Sequence, residues 1–367
     1  MGKFISSLLL SFTLVILCSA SVRAEIRIAV AGPLTGINTF RGEQIQRGAQ
    51  QAVADINLAG GVLGQKVRLI VGDDSCDPQQ AVALAHKLVS DGVVFVAGHV
   101  CSHSSIPASA VYHDNGVLMI SPASTNPKLT DAGMSSVFRV CGRDDQQSDV
   151  AASFLEKNWS DKNIAIVHDK TVYGKELADQ VRDRLHKRGV HEAFYRAFEP
   201  GLSDYSELVE ALGRAGVDVV YFGGYTPEAG LILREASSQG LEFKMVGGDT
   251  LTTEEFWMIS GSAGEGTMMT FSPDPRRNPE SADIVAHYRA QGFEPGGYTL
   301  HTYAAVQSWA QAAEYAQSLE LKEIIRALRE NTFSTVLGSI GFDEKGDVKA
   351  PGFVWYVWRN GKYIPVE

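Results

Sequence analysis

From Ile26 onward the chain alternates short apolar runs with longer stretches whose apolar residues recur at helical spacing. Ile26, Ile28 and Val30 are spaced by two and end at Gly32-Pro33, the pattern of a strand. Ile45, Ala49, Ala52, Val53 and Ile56 then share one helical face, which Gly60-Gly61 closes. Val67, Leu69 and Val71 predict a second strand, and 78–89 a second helix. Strand-helix alternation at this rhythm implies βαβ units, mostly parallel sheets flanked by helices, and hence an α/β fold.

A second series begins near Asp144. It predicts helices over 149–157, 174–187 and 227–239, interleaved with strands over 164–167, 217–222 and 243–246. The breaker cluster from Ser272 to Pro279 interrupts it. Helical patterns over 303–317 and 321–330 and a strand over 353–358 follow. Two halves separated by a breaker predict two lobes: 25–143 with 273–342, and 144–272 with 343–367. The chain then crosses near Arg143, near Ser272 and near Phe342, and three parallel crossings make a hinge.

Isolated polar residues fall where this architecture gives them meaning. Five apolar runs each end within a few residues of a hydroxyl or a carboxylate: Ser102, Thr125, Tyr173, Tyr225 and Asp249. In open α/β sheets, ligands bind outside the carboxyl ends of the strands. The pattern therefore predicts a ligand cleft.

The first residues change the setting. Lys3, an apolar stretch from Phe4 to Leu17 and a small-residue end at Val22-Arg23-Ala24 read as a secretory signal peptide over 1–24. Its apolar core is too short to span a bilayer, and Leu17 stands where a lipoprotein motif ahead of Cys18 needs a small residue. The mature chain is expected in the periplasm without membrane insertion. Processing removes Lys3 and Arg23 and no acid, so the formal charge moves from -10 to -12. An acidic chain without basic runs argues against nucleic acid, and the lack of any obvious assembly segment suggests a monomer. In an oxidising compartment Cys76 and Cys101, at the ends of successive strand-loop segments, are expected to form a disulfide. Cys141 is left as a buried small hydrophobe.

Enzyme chemistry finds little support. There is no G-x-S-x-G elbow, Walker A loop, G-x-G-x-x-G or H-E-x-x-H; Gly264-Glu265-Gly266 starts a dinucleotide pattern, but Met269 occupies the third glycine position. His99-Val-Cys101-Ser-His103 matches no common zinc spacing, so its histidines read as solvated loop residues. No cofactor, metal or catalytic group is expected.

A binding site accounts for more. Ser102-His-Ser-Ser-Ile-Pro107 places hydroxyls and free amides at a helix start, where an anion is favoured, although a serine there also serves as a simple cap. Asp249, after Gly247-Gly248, is an acid at a strand end or a turn residue. An anion receptor on one lobe and an acid on the other suit a zwitterion, with Tyr173 and Tyr225 covering it.

The chain also resembles the periplasmic leucine/isoleucine/valine-binding protein family of ABC-type amino-acid importers. The likeness covers essentially the whole mature chain. It is densest in Ala52-Val-Ala-Asp-Ile-Asn57, Asp73-Asp-Ser-Cys-Asp-Pro78, Gly98-His-Val-Cys101-Ser102, Ile166-Val-His-Asp-Lys170 with Tyr173-Gly174, Tyr221-Phe-Gly-Gly-Tyr225 and Asp343-Glu-Lys-Gly-Asp347. The resemblance implies a two-lobed, type I binding protein that closes on an amino acid and hands it to a membrane permease. It implies the Cys76–Cys101 bridge, carboxylate contacts from Ser102, Thr125 and the backbone at Ala123, and ammonium contacts from Tyr225 and Asp249, where leucine-type members carry glutamate. Tyr173 matches a cleft-closing tyrosine. Arg41 aligns with a pocket tyrosine, with Phe40 one position earlier, and Tyr298 with a pocket phenylalanine. Arg41 either faces the pocket, favouring a polar side chain, or points to solvent at the cleft mouth. The expected ligand is an L-α-amino acid, branched-chain or otherwise apolar. A sensor subunit for a receptor kinase, or a site for an amide or aromatic acid, fits the same sequence.

Overall fold

The structure, a computed structural model, describes residues 25–349 and 352–366. The expected signal peptide lies outside the described residues.

The first half alternates β1 (Ile26–Gly32), α1 (Thr39–Leu58), β2 (Val67–Asp73), α2 (Pro78–Ser90), β3 (Phe95–Gly98), α3 (Ser102–Asp114), β4 (Leu118–Ser121), α4 (Lys128–Asp131) and β5 (Val137–Arg139). Its strands form a parallel five-stranded sheet in the order β2-β1-β3-β4-β5. Helices cover both faces, so β3 and β4 are buried throughout, as central parallel strands must be.

The second half runs through α5 (Asp144–Trp159), β6 (Ile164–His168), α6 (Val172–Lys187), β7 (Phe194–Ala197), α7 (Ser206–Arg214), β8 (Val219–Gly223), α8 (Thr226–Ser238), β9 (Lys244–Gly247), α9 (Glu254–Ser260) and β10 (Met268–Phe271). The chain then supplies α10 (Ala282–Ala290), α11 (Thr299–Ala316), α12 (Leu321–Glu330) and the hairpin β11 (Phe333–Thr335) and β12 (Gly338–Ile340). β13 (Val354–Arg359) and β14 (Lys362–Pro365) add antiparallel strands to the second sheet, whose order is β14-β13-β10-β9-β8-β6-β7.

α11 packs back on the first lobe, where Trp309 stacks on Phe95 with ring centroids 5.2 Å apart. The chain therefore passes between the sheets after β5, after β10 and before β13. At the first and third crossings Asp347 takes ion pairs from both Arg139 and Arg143. Arg139 is fully buried and also donates to the Ser124 and Asn126 carbonyls at 2.9 Å. One guanidinium thus ties the hinge to the loop after β4.

Both sheets have a switch point, at β1/β3 in the first and β6/β8 in the second. Their carboxyl ends face each other across the seam between the lobes.

Candidate functional site

On the first lobe the loops after β3 and β4 are stapled together. The Cys76–Cys101 disulfide forms, with Cα atoms 5.5 Å apart. Cys101 immediately precedes Ser102, the first residue of α3. Ser121 Oγ donates to the His99 carbonyl at 2.9 Å and Ser124 Oγ to the Val100 carbonyl at 2.8 Å. Ser102, Ala123 and Thr125 are consequently held buried along one rim. The Ala123 amide already leans on Ser121 Oγ at 3.3 Å, whereas Thr125 Oγ1 reaches full hydrogen-bonding geometry with none of the described residues.

On the second lobe Thr171 caps α6 by accepting from the Gly174 amide at 3.0 Å. A Cβ on Gly174 would sit 2.5 Å from the Gly223 carbonyl, so only glycine lets α6 lie this close to β8. That approach delivers Tyr173 to the seam. A Cβ on Gly248 would lie 2.5 Å from the Tyr173 hydroxyl, so the residue before Asp249 clears the path between them. Tyr225 stands at the N-cap of α8, its ring 5.3 Å from that of Tyr173.

Asp249 is the centre of the arrangement. It is 2% exposed, yet no cation pairs with it among the described residues. Its Oδ1 accepts from Tyr173 Oη and Gln147 Nε2, both at 3.0 Å, and its Oδ2 from the Tyr298 hydroxyl. Burial, with Asp249 nearby, holds both tyrosine hydroxyls well above their ordinary pKa, so they remain donors. Tyr298 comes from the N-cap of α11 on the first lobe. Its position, read from the sequence as a pocket wall, supplies a hydroxyl to the acid.

Arg41 is 1% exposed, which excludes the solvent-facing alternative. Its guanidinium donates to Thr226 Oγ1 at 2.8 Å and to the Thr250 carbonyl, and its carbon lies 5.3 Å from the Tyr225 ring centroid. The charge is thus held by polar atoms of the opposite lobe.

Two further expectations are corrected. His99 is fully buried, not solvated: Nδ1 meets Asp74 Oδ2 at 2.6 Å and Nε2 meets Tyr112 Oη at 3.0 Å. His103 is partly buried, with Nε2 2.6 Å from the Cys76 carbonyl oxygen. His103 lies within ligand distance of Cys76 and Cys101, but both sulfurs are spent in the disulfide. Pro107 lies near the start of α3, which begins at Ser102. Cys141 is buried and unbridged as expected, and burial pushes its thiol pKa up.

Sequence reasoning missed Asp144 and Gln147. The apolar period places the first turn of α5 at 149, but the helix starts at Asp144. Those opening residues are polar, so no hydrophobic pattern reveals them, although both are fully buried. An acid pair at a helix start, Asp144-Asp145, is the signal that was present. A surface depression lined by Leu63, Gln65 and Glu314 involves none of these residues.

Two parallel-sheet lobes, a hinge of three crossings and a buried polar seam at the strand ends define a type I binding protein. The sequence profile of the periplasmic binding protein family matches residues 25–361, and the chain belongs to that family, one of binding proteins and not of enzymes. It is 47% identical over 348 residues to Leu/Ile/Val-binding protein homolog 1 of Brucella melitensis, spanning 95% of this chain and 94% of that one. It is 41% identical to a leucine-, isoleucine-, valine-, threonine- and alanine-binding protein of Pseudomonas aeruginosa, over 93% of this chain and 92% of the relative. The crystal structure of a leucine-binding protein from Thermotoga maritima superposes with a TM-score of 0.86 at 28% identity, covering 93% of this chain and 98% of the other.

Proposed function

We propose that this protein is the periplasmic substrate-binding component of an ABC importer and takes an L-α-amino acid, branched-chain or another small apolar one, in the seam between its lobes. The observation that carries this reading is Asp249: a buried acid without a cation partner, held by donors from α5, α6 and the α11 N-cap. An acid so placed is suited to an ammonium group, which supplies the charge compensation that burial demands. Opposite it, Ser102, the Ala123 backbone and Thr125 at the start of α3 and after β4 suit the carboxylate. Tyr173 and Tyr225 cover the ligand, and Arg41 and Tyr298 close the side-chain end.

Residues 25–143 with 273–342 form the first lobe, and 144–272 with 343–367 the second. Closure requires contacts from both, so ligand shifts the equilibrium toward the closed form. Residues 1–24 direct export and are removed after Ala24, and the closed monomer docks on a permease. Among the described residues no helix is long and apolar enough to cross a membrane.

The test is thermal unfolding of the mature chain, refolded to strip carried-over ligand, against the twenty L-amino acids, amides and aromatic acids. A ligand at a hundred times its Kd stabilises by about 2.7 kcal/mol. Midpoint shifts confined to apolar L-amino acids support the reading. Shifts only with amides or aromatic acids overturn it.

A further inference from the structure

Asp144, which the family likeness and the strand-end pattern both leave without a role, is fully buried at the hinge. Its amide donates to the Thr125 carbonyl at 2.9 Å, which fixes the residue beside the proposed carboxylate receptor. The Thr125 hydroxyl beside it is close enough to favour its anion, but neither carboxylate oxygen reaches full hydrogen-bonding geometry with any described group. Gln147 Oε1 and the Tyr221 hydroxyl, also buried, lack partners too. Gln147 uses its amide nitrogen on Asp249, which links that acid to the first turns of the helix that Asp144 opens.

A fully buried, unpaired carboxylate costs several kcal/mol unless something compensates it. The groups facing Asp144 do not. Asp249, after β9, is an acid, and so is Asp145 on its own helix; the Cys141 thiol and the Tyr173 and Tyr221 hydroxyls are neutral. Arg139, the cation whose field reaches it, is paired with Asp347, and the adjacent Arg143 is held by Asp131, Asp145 and Asp347. Burial and Asp249 accordingly raise the carboxyl's pKa well above its ordinary value. The helix dipole at the start of α5 favours an anion there, but too weakly to offset burial.

We propose that Asp144 is a second carboxylate of the binding site, which together with Asp249 flanks the cationic group of the ligand. This rests on the amino-acid reading above and extends it. The hinge acid faces the ligand from the fixed end of the cleft, while Asp249 closes on it from the strand end of the second lobe. Buried together without a cation the two acids cannot both stay ionised, so the empty closed form needs a proton where the liganded form has the ammonium. Neutral isosteres that present a hydroxyl in place of the ammonium are rejected twice over.

The test compares wild type with Asp144→Asn by calorimetry and competition. The probes are L-leucine, L-valine and L-alanine, each beside its α-hydroxy acid. Asp144→Ser is measured in parallel, and a variant retaining the wild-type circular dichroism carries the comparison. Loss of a charge-assisted contact predicts amino-acid affinity lower by about ten- to a hundredfold, with hydroxy-acid affinity unchanged or improved. The preference for ammonium over hydroxyl therefore falls at least tenfold. Undiminished preference in a folded variant overturns the proposal alone, as does equal weakening of both ligand classes, which is what a purely structural role gives. Failure of all three amino acids to bind wild type overturns the amino-acid reading, and this proposal with it.

Discussion

Arg41 Nη2 lies 2.8 Å from Thr226 Oγ1, and this hydrogen bond joins α1 of the first lobe to the start of α8 on the second. Because the partners sit on different lobes, the opening proposed above breaks the contact. Arg41→Met is expected to weaken every ligand by about five- to thirtyfold without changing their ranking. Thr226→Val should do the same to a lesser degree, and the double variant should fall short of the summed effects. A changed ranking in calorimetric titrations would show instead that the guanidinium reads the ligand side chain.

Asp249→Ala removes the acid on which Tyr173, Gln147 and Tyr298 converge. Ligand affinity should fall by a hundredfold or more, since a buried ammonium loses its charged partner. The unfolding midpoint without ligand should fall by a smaller amount, because Tyr173 and Gln147 lose a buried acceptor but no buried cation is abandoned. Titration calorimetry and calorimetric scanning on the same sample separate the two effects.

Asp169 offers a pH signature. Burial raises its carboxyl from the ordinary value to about 7, against the Thr171 hydrogen bonds that favour the anion. The folded form therefore holds a proton that the unfolded chain releases between pH about 4 and about 7, so this group's contribution weakens as pH rises through that window. Asp169→Asn lacks the effect while keeping an acceptor for Thr171. The midpoint of the variant should gain on wild type from pH about 4 to about 7 and stay level above it, at no more than about 1.4 kcal/mol per pH unit. A constant difference across that range would contradict the assignment.

The Cys76–Cys101 bridge spans a sequence separation of 25 and anchors the residue before Ser102. Its removal in a Cys76→Ala/Cys101→Ala variant should cost about 3 kcal/mol of stability. Freed from the bridge, the Ser102 loop should also bind ligand more weakly, which thermal shifts with and without ligand will reveal.

The alternation of apolar periods at two and at about 3.6 determined the α/β class, because parallel sheets and their covering helices imprint burial directly on the sequence. The same logic put Ser102, Thr125, Tyr173, Tyr225 and Asp249 at strand ends, and all five lie buried along the seam. The pattern could not see the polar first turn of α5. Asp144 and Gln147 are buried among groups remote in the chain, Asp144 beside Thr125 and Gln147 against Asp249 and Thr270, and not by the hydrophobic face of their own helix. Likewise, two histidines read as solvent-facing, and Arg41 as facing either the pocket or solvent, until their partners are known. Arg41 is satisfied from residues 226 and 250, and His99 from residues 74 and 112, distances that no local pattern spans. The sequence by itself determined which elements form and which strand ends carry chemistry. Only the tertiary structure decided which charges are buried and what they face, because the desolvation that makes a charged group functional comes from atoms remote in the chain.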